Sequence, residues 1–559
     1  MTNLRFGLSL CAILSVGRVL AVYDDVTVEK YPDADAVVID TDTKIEYAPD
    51  GSYVRISDDK IKVLTEKGRR EESEISLHYN RRYGTAEIVE VKIIAEDGTE
   101  RTVDVSATTK DSTDNSSTSA NIYDPQDRRL VCTVPGLKVG EVLCYRTKNR
   151  NVRSRVKDQF ADLALFELPA PLLHGQVDII SPAERPLKRW AVRNPLGNVS
   201  HEELKLDDGR ILHSWCATNS PQAFPEPDMP PFYTQAQLLR VSTADDWPTL
   251  SRWYWDLSCP HLAKTTPAIT NQVKAIGRDI EKIYKWVSQE IRYMGLTMED
   301  TSPGYAPHDV NVTFDNRYGV CRDKAALLVA MLRIAGFEAY PVLIHAGAKM
   351  DPEVPMPYFN HAITCVRAPG DPRANKDGYI LMDPTDESSR DLLPAYLSDR
   401  SYLVACPKGE TLLTSQVPAA DANSVKATDT ATLEKDGTML LESEIVFTGL
   451  NDNVYRGALL RRKNDERRKL FERIVRAVSP GAELLQFDLR PADLQDTAQQ
   501  LKVKMYVKMP EMVLRGETRD ELVVPMFTRA LGAANWLLEG NTSLEKRRYP
   551  LDKIGRAHV

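Results

Sequence analysis

One cysteine of the chain, Cys321, stands at the start of a segment whose apolar residues repeat at helical spacing. The repeating residues, up to the stop at Gly336, are Ala325, Leu328, Met331, Leu332 and Ala335. Cys321 is therefore predicted in the first turn of a buried helix, where unpaired N–H groups and the positive end of the helix dipole favour thiolate over thiol. A thiolate in this position is a candidate nucleophile, and the same N–H groups can donate to an oxyanion.

A histidine and an aspartate lie at the ends of two predicted strands downstream. His361 begins the strand 361–366, and Asp383 follows the strand 379–382. An antiparallel hairpin of these strands brings Asp383 next to His361 at its open end. Histidine can take the thiol proton and later give it to a leaving amine, while aspartate fixes the tautomer and stabilises the imidazolium. The sequence predicts a triad with Cys321; the alternative is a buried core thiol beside a structural histidine.

Acyl transfer by a thiolate also needs donors for the oxyanion of the tetrahedral intermediate. The backbone N–H of Cys321 is one candidate, and the side chain of Tyr293 or Gln289 upstream is the candidate for the second. The sequence has no Asp/Asn/Gly loop of calcium spacing, no Cys-x-x-Cys pair and no glycine-rich phosphate loop. We therefore expect a site that uses no metal and no cofactor.

The segments around these residues predict separate domains. Residues 35–215 contain alternating runs divided by turn signals, which is typical of a β-sandwich, with a Ser/Thr/Asp-rich loop over 106–120. A proline-rich linker at 221–231 follows, and then one apolar face that predicts a long helix over 273–291. After residue 425 the pattern becomes strand-like again. This last part contains a charged helix, predicted over 452–478, and a strand near 501–509.

Residues at both ends of the chain are not assigned to any of the predicted domains. Residues 1–21 resemble a signal peptide, with Arg5, an apolar run over 6–16 that is too short to span a bilayer, and a cleavage position after Ala21. We expect export to the periplasm or the outside of the cell, without a lipid anchor. Residues 554–559 back-translate to a common sequencing adapter, so we treat them as non-native and expect the domain before them to be truncated.

Length and composition narrow the possible functions. The chain has 559 residues, too many for one core, and a formal net charge of −8. Because there is no basic excess, nucleic acid is not expected as a partner. No stretch is long and apolar enough to span a membrane. Of the 8 cysteines, one lies in the signal segment, and the odd number that remains implies that at least one thiol is free or pairs outside the chain.

Three segments of the chain resemble the bacterial transglutaminase-like superfamily. They are Tyr-Gly-Val-Cys-Arg-Asp-Lys-Ala at 318–325, Phe-Asn-His-Ala-Ile at 359–363 and Leu-Met-Asp-Pro-Thr at 381–385. The family's cysteine, histidine and aspartate fall on the three residues of the predicted triad. The β-rich part before this core is similar to the uncharacterised domain that often precedes it in secreted bacterial proteins, and the part after 425 is similar to its usual companion. Val320 departs from the acidic residue of many relatives, which affects the expected pocket but not the triad.

The resemblance implies a papain-like α+β core and a cysteine-dependent enzyme that transfers acyl groups through a thioester. The implied substrate is a peptide or amide bond of a protein or peptide. Water resolves the thioester in a peptidase or amidase and an amine resolves it in a transglutaminase, and the sequence leaves both open. The alternative from another class is a non-catalytic secreted scaffold whose β domains bind polysaccharide or protein. Substrate identity and oligomeric state also stay open.

Together these patterns predict a multi-domain fold. The predicted units are the signal peptide 1–21, an N-terminal β-sandwich over 22–230, a central papain/transglutaminase-like α+β core over 240–412, a C-terminal mixed α/β domain over 425–553 and the non-native tail 554–559.

Overall fold

The computed structural model describes residues 25–296, 304–533 and 545–551. The predicted signal peptide and the tail 554–559 lie outside these ranges. Within the described part, no helix combines the length and the apolar character that a membrane span requires. The seven cysteines at described positions are all free thiols.

The N-terminal β-rich domain is built on one large sheet with two smaller sheets packed against it. Its strands are β1 Ala36–Tyr47, β2 Tyr53–Val63, β3 Glu74–Asn80, β4 Gly84–Ile94, β5 Glu100–Thr102, β6 Thr109–Thr113, β7 Asp127–Thr133, β8 Val142–Asn151, β9 Ala161–Leu165, β10 Leu172–Ser181, β11 Arg189–Arg193, β12 Val199–Lys205, β13 Ile211–Ser220 and β14 Leu238–Ser242. The shorter elements are the helices α1 Glu66–Glu72 and α2 Val105–Thr108, with 3-10 turns at Ser116–Ala120 and Phe232–Thr234. The large sheet has the order β12-β13-β10-β1-β2-β8-β4-β5, and the small sheets are β3-β7-β6 and β11-β14-β9. The predicted β-rich domain is confirmed.

The strand β14 fixes where the chain leaves this domain. Ile45, Ile179 and Trp215 of the large sheet pack against Leu239 and Val241 of β14. Burying an apolar side chain of this size contributes about 1.5–3 kcal/mol. Because β14 ends at Ser242, the N-terminal sheet system continues past the predicted end at residue 230.

The stretch 106–120, which the sequence predicts as a loop, is folded into short elements. The strand β6 pairs with β7 at the edge of a small sheet, and a 3-10 turn follows it. The carboxylate of Asp111 on β6 accepts hydrogen bonds from Arg81 and Arg128. The loop prediction was wrong because these polar residues lie on an edge strand, where their side chains face solvent and one another.

The central domain packs helices against a five-stranded antiparallel sheet. Its helices are α3 Trp247–Leu262, α4 Pro267–Ile276, α5 Ile280–Glu290, α6 Val310–Asn316 and α7 Cys321–Ile334, with a 3-10 turn at Ala395–Leu397. Its strands are β15 Arg292–Tyr293, β16 Tyr318–Gly319, β17 Ala339–Ile344, β18 His361–Arg367, β19 Tyr379–Met382, β20 Ser401–Val404 and β21 Leu413–Thr414. The sheet has the order β19-β18-β17-β20-β21, and β15 pairs with β16 in parallel.

The helix α7 is the centre of this domain. Every residue from 322 to 332 is buried, between the other helices on one side and the sheet on the other. The Thr364 hydroxyl on β18 donates to the Ala325 carbonyl at 3.0 Å, which links the sheet to the first turn of α7. The buried ammonium of Lys324 donates to the carbonyls of Ser288 and Ile291 at 3.0 and 2.6 Å. Lys324 therefore holds the end of α5 against α7, instead of forming the salt bridge that its position suggests.

The long helix predicted over 273–291 is two helices, α4 and α5. Gly277 between them has φ +88°, a left-handed conformation that ends α4. Asp279 then begins α5, since its carboxylate accepts from the N–H groups of Glu281 and Lys282. The prediction of one helix was wrong because the two helices use the same apolar spacing on both sides of the break.

The C-terminal domain is the predicted mixed α/β unit. Its strands are β22 Val425–Leu433, β23 Met439–Phe447, β24 Glu483–Arg490, β25 Lys502–Met509, β26 Val513–Leu514 and β27 Glu521–Leu522. Its helices are α8 Leu450–Leu460, α9 Asn464–Val478 and α10 Phe527–Leu531, after a 3-10 turn at Ala420–Ala422. The helix predicted over 452–478 is divided into α8 and α9, because the Glu466 carboxylate accepts from the N–H of Lys463 and starts a new helix there.

The described segment 545–551 contacts the linker that follows β13. The Arg548 N–H donates to Glu226 at 2.6 Å, and the Arg547 guanidinium donates to the Pro227 carbonyl at 2.6 Å. The segment forms no strand.

A substitution at Gly319 tests how closely the residues at the start of α7 are packed. A Cβ at this position would lie 2.6 Å from the Asp323 Cβ and 3.2 Å from the Thr313 Cγ2. We expect Gly319→Ala to destabilise the central domain by about 1–3 kcal/mol, because α6 and α7 must move apart. Thermal unfolding of the whole chain measures the effect. Gly347→Ala is the control, since a Cβ there meets its nearest neighbour at an ordinary 3.5 Å; equal melting temperatures for both variants would contradict the packing argument.

Candidate active site

Cys321 is the first residue of α7, as predicted. Val320 before it is extended, and the Asp323 carboxylate accepts from the Val320 N–H at 2.9 Å and from the His308 N–H at 2.9 Å. Asp323 thus satisfies the donor just before the helix and also holds the segment at His308 against it. The Cys321 N–H contacts the hydroxyl of Tyr293.

The parallel pairing of β15 with β16 brings Tyr293 to Cys321. Tyr293 is the register partner of Gly319, two residues before the cysteine. The bond from Lys324 to the Ile291 carbonyl fixes the chain just before β15. The Tyr293 hydroxyl also forms a hydrogen bond with the Cys321 side chain.

The hairpin of β18 and β19 brings His361 and Asp383 together. Thr364 is the register partner of Met382, so the residue after β19 lies beside the start of β18. The distance from His361 Nε2 to Asp383 Oδ2 is 3.0 Å. A second hydrogen bond joins the His361 and Cys321 side chains, and Nδ1 is the ring nitrogen left for it. The structure therefore brings together all three residues of the predicted triad.

The carboxylate of Asp383 is fully buried and accepts four hydrogen bonds. Besides His361, Tyr396 donates its hydroxyl to Oδ2 at 2.7 Å. Thr385 donates its backbone N–H and its hydroxyl to Oδ1 at 3.0 and 2.7 Å. Burial alone would raise the pKa of Asp383, but the charge of His361 and these hydrogen bonds lower it to about 2. Asp383 is therefore an anion at neutral pH.

The charge of Asp383 sets the protonation of the other two residues. Burial alone would lower the pKa of His361, but the charge and hydrogen bond of Asp383, with a contribution from Cys321, raise it to about 10. Burial alone would raise the pKa of Cys321, but the hydrogen bond and charge of His361 lower it below its usual value. Because the thiol loses its proton at lower pH than the imidazolium does, the two side chains form a thiolate–imidazolium ion pair.

Of the two side chains predicted as oxyanion donors, one lies beside Cys321 and the other does not. The Tyr293 hydroxyl lies against Cys321, whereas Gln289 is exposed on α5 and donates its amide to the Gln495 carbonyl of the C-terminal domain at 2.7 Å. Gln289 was a wrong choice because the core-facing side of α5 is occupied by other residues, including Ile283 and Val287. No group of three or more His, Cys, Asp or Glu side chains in the described ranges could hold a metal ion.

The N-terminal domain forms one wall of the cavity that contains Cys321. This cavity has a volume of about 390 Å³, and residues from β3, β7 and the nearby loops line it together with Cys321 and His361. The segment 121–123 binds the chain just after Tyr293: the Tyr123 N–H donates to the Gly295 carbonyl and the Gly295 N–H to the Asn121 carbonyl, both at 2.9 Å. The cavity is thus formed between two domains.

Sequence reasoning missed three parts of this site. Thr385 belongs to the Asp-Pro-Thr motif and lies two residues after Asp383, which is the spacing of an Asx turn. Its hydrogen bond to Asp383 could therefore have been predicted from the sequence. Tyr396 comes from an irregular segment and has no such signal. The side of the cavity that the N-terminal domain forms depends on how the two domains dock. Local sequence periodicity contains no information about that docking.

The ion pair predicts how the reactivity of Cys321 depends on pH. The rate of alkylation by iodoacetamide should rise as pH increases through the lowered pKa of Cys321, and then stay level up to about pH 10, where His361 loses its proton. In His361→Ala the rise should move to higher pH, because burial then raises the pKa of the thiol without compensation. Peptide mapping by mass spectrometry at each pH measures the rate for each cysteine. Cys365, a buried thiol whose pKa is raised by burial, is the internal control; identical profiles for the two enzymes would contradict the ion pair.

Comparisons with known proteins match two parts of the chain to family models. A model of the transglutaminase-like superfamily matches residues 263–384, and a model of a domain of unknown function, DUF3857, matches residues 49–224. No curated protein matches the chain. A candidate protease from Parabacteroides distasonis has a similar structure, with 13% identity over 91% of this chain and 98% of that chain, and a TM-score of 0.54.

Two other solved structures align with parts of the chain. A candidate cysteine protease from Cytophaga hutchinsonii is 16% identical over 42% of this chain and 80% of that chain, with a TM-score of 0.18. A module of a Clostridium thermocellum cellulosome scaffoldin is 14% identical over 21% of this chain and 69% of that chain, with a TM-score of 0.14. Neither score supports an argument about fold. By its family matches, the chain carries a transglutaminase-like superfamily domain preceded by a DUF3857 domain.

Proposed function

We propose that this protein is a cysteine-dependent acyl-transfer enzyme that acts on peptide or amide bonds through a thioester. One observation carries the proposal: Cys321 at a helix N-terminus is hydrogen bonded to His361, whose other ring nitrogen lies 3.0 Å from the buried Asp383. The family match of the central domain supports it. A non-catalytic scaffold would not require a buried carboxylate that orients a histidine toward a thiolate.

The first half of the proposed reaction forms the thioester. The thiolate of Cys321 attacks the carbonyl carbon of the substrate, and the carbonyl oxygen becomes an oxyanion near the Cys321 N–H and the Tyr293 hydroxyl. When the intermediate collapses, the C–N bond breaks and the imidazolium of His361 gives its proton to the leaving amine. Asp383 stays ionised throughout and stabilises the imidazolium before this transfer.

The second half resolves the thioester. Neutral His361 takes a proton from water or from an amine, which attacks the thioester carbon. The C–S bond then breaks and the thiolate is restored as His361 holds the proton. Water gives a carboxylic acid, which is hydrolysis, and an amine gives a new amide, which is transamidation.

A glutamine-containing peptide library, incubated with and without a primary amine, tests the proposal. Mass spectrometry identifies cleaved, deamidated or amine-linked products. Cys321→Ala should give no product and no covalent adduct while it keeps the fold. Asp383→Asn should bind substrate but lose on the order of 10³–10⁴-fold in turnover, if the effect in serine triads applies here.

The products decide between the two outcomes. Acids alone, even with amine present, identify a peptidase or amidase, and amine-linked products identify a transglutaminase. Equal product from wild type and Cys321→Ala would refute a cysteine-dependent enzyme.

Tyr293→Phe isolates the proposed oxyanion donor. Removing the hydroxyl should lower kcat by about 10²–10³-fold, which is the usual effect of losing one such donor, with little change in KM. Tyr254→Phe is a matched control, because the Tyr254 ring lines the same cavity and its hydroxyl has no place in the proposed reaction. Steady-state kinetics on the best library peptide give both constants. A kcat for Tyr293→Phe that equals the Tyr254→Phe value would remove Tyr293 from the mechanism.

A further inference from the structure

The cavity that contains Cys321 continues into a second cavity between the same two domains. The second has a volume of about 510 Å³ and is lined by strands of the N-terminal domain and by the segment around Tyr358. Asn80, Tyr83 and Arg155 line both cavities, so these residues mark the place where they meet. Each volume is in the range of known ligand sites. We refer to these two adjoining cavities together as the groove.

Arg155 is held at this junction by its surroundings. Its guanidinium carbon lies 5.6 Å from the centre of the Tyr83 ring, a cation–π distance. The chain before it is fixed by the Val152 N–H, which donates to the Tyr83 carbonyl at 2.7 Å, and by the Ser154 hydroxyl, which donates to the Asp50 carbonyl at 2.9 Å. The guanidinium also reaches the hydroxyl of Tyr305 in the central domain. Arg155 thus spans the groove from one domain to the other.

Two acidic groups of the described residues that line the cavity with Arg155 are engaged elsewhere. Asp124 forms an ion pair with Arg82 at 2.8 Å, and Asp127 accepts from the Asn80 amide at 2.7 Å. Among the residues that the structure describes, none forms a salt bridge with Arg155 or with Arg150, which lines the second cavity. Two guanidinium groups in the groove therefore present donors to whatever occupies it, in a protein whose formal net charge is −8.

We propose that Arg155 binds a carboxylate of the substrate, so that the enzyme prefers peptides with an acidic group close to the bond that Cys321 attacks. The inference rests on the proposed function and names its substrate class. A guanidinium has a planar set of N–H donors that matches a carboxylate bidentately, and the Tyr83 ring limits its movement. Arg150 lies further along the groove, where a second acidic group of the peptide would meet it.

Two kinds of carboxylate fit this site. An acidic side chain within the peptide and the C-terminal carboxylate of a short peptide present the same two oxygens. Matched peptides distinguish them: glutamate, glutamine or lysine at each position that flanks the reactive bond, each with a C-terminal acid or a C-terminal amide.

The test compares Arg155→Gln and Arg155→Glu with the wild type by kcat/KM on these peptides. Wild type should favour the carboxylate peptide about tenfold over its neutral counterpart, the size of one well-placed charged hydrogen bond. Arg155→Gln should lose the preference through KM with kcat unchanged, because the contact is the same in ground and transition states. Arg155→Glu should instead favour the lysine peptide.

Arg153→Gln is the matched control, since Arg153 is an exposed arginine two residues away that lines neither cavity. Its preference should equal that of the wild type. Equal alkylation of Cys321 in all variants shows that the fold and the ion pair are intact. If Cys321 of the Arg155→Glu variant is alkylated at a different rate, the proposal is judged on the Arg155→Gln variant alone. A wild type without acidic preference, or an Arg155→Gln enzyme that retains it, would overturn the proposal.

Binding to the Cys321→Ala variant separates this inference from the proposed function. Fluorescence anisotropy with labelled peptides needs no turnover. Acid-dependent binding that disappears with Arg155→Gln, in a protein that turns over no peptide, would support the carboxylate site and refute the enzyme. Turnover that is indifferent to acidic groups would support the enzyme and refute the carboxylate site.

Discussion

The buried charge of Asp383 is the constraint on which the rest of the site depends. A carboxylate without solvent is tolerated only where hydrogen bonds replace water, and here three side chains and one backbone N–H do so. The charge keeps His361 protonated, and the imidazolium in turn stabilises the thiolate of Cys321. One interaction thus sets the ionisation of two further groups without a metal ligand or a cofactor being needed to explain it.

The position of Cys321 depends on a different set of contacts. Lys324 is buried, and no acidic side chain of the described ranges lies in hydrogen-bonding range of it. Its ammonium donates instead to backbone carbonyls at the end of α5. Thr364 joins the sheet to the first turn of α7, and Asp323 closes the helix N-terminus. The first two contacts connect α7 to α5 and to the sheet, and the third closes its own N-terminus, so Cys321 is fixed from several sides. The proposed reaction would therefore require little reorganisation of the site.

The sequence predicts the positions of the three triad residues better than the lining of the cavity around them. The contact of His361 with Asp383 follows from a local hairpin, and the position of Cys321 follows from helical periodicity; both signals lie within short segments. The break at Gly277 was missed because apolar spacing continues across it. Tyr396 was missed because it acts from an irregular segment, and the segment 121–123 because its partner, Gly295, is distant in sequence and meets it only when the domains dock.

The backbone bridge between Gly295 and the segment 121–123 has a consequence for how such proteins change in evolution. In the proposed reaction, the residues that break and form bonds belong to the central domain, whereas part of the lining of the cavity belongs to the N-terminal domain. Substitutions in the N-terminal domain can therefore alter which molecules are accepted while the reaction stays the same. Exchanging either domain of this chain for that of a relative would therefore change one side of the cavity and keep the other.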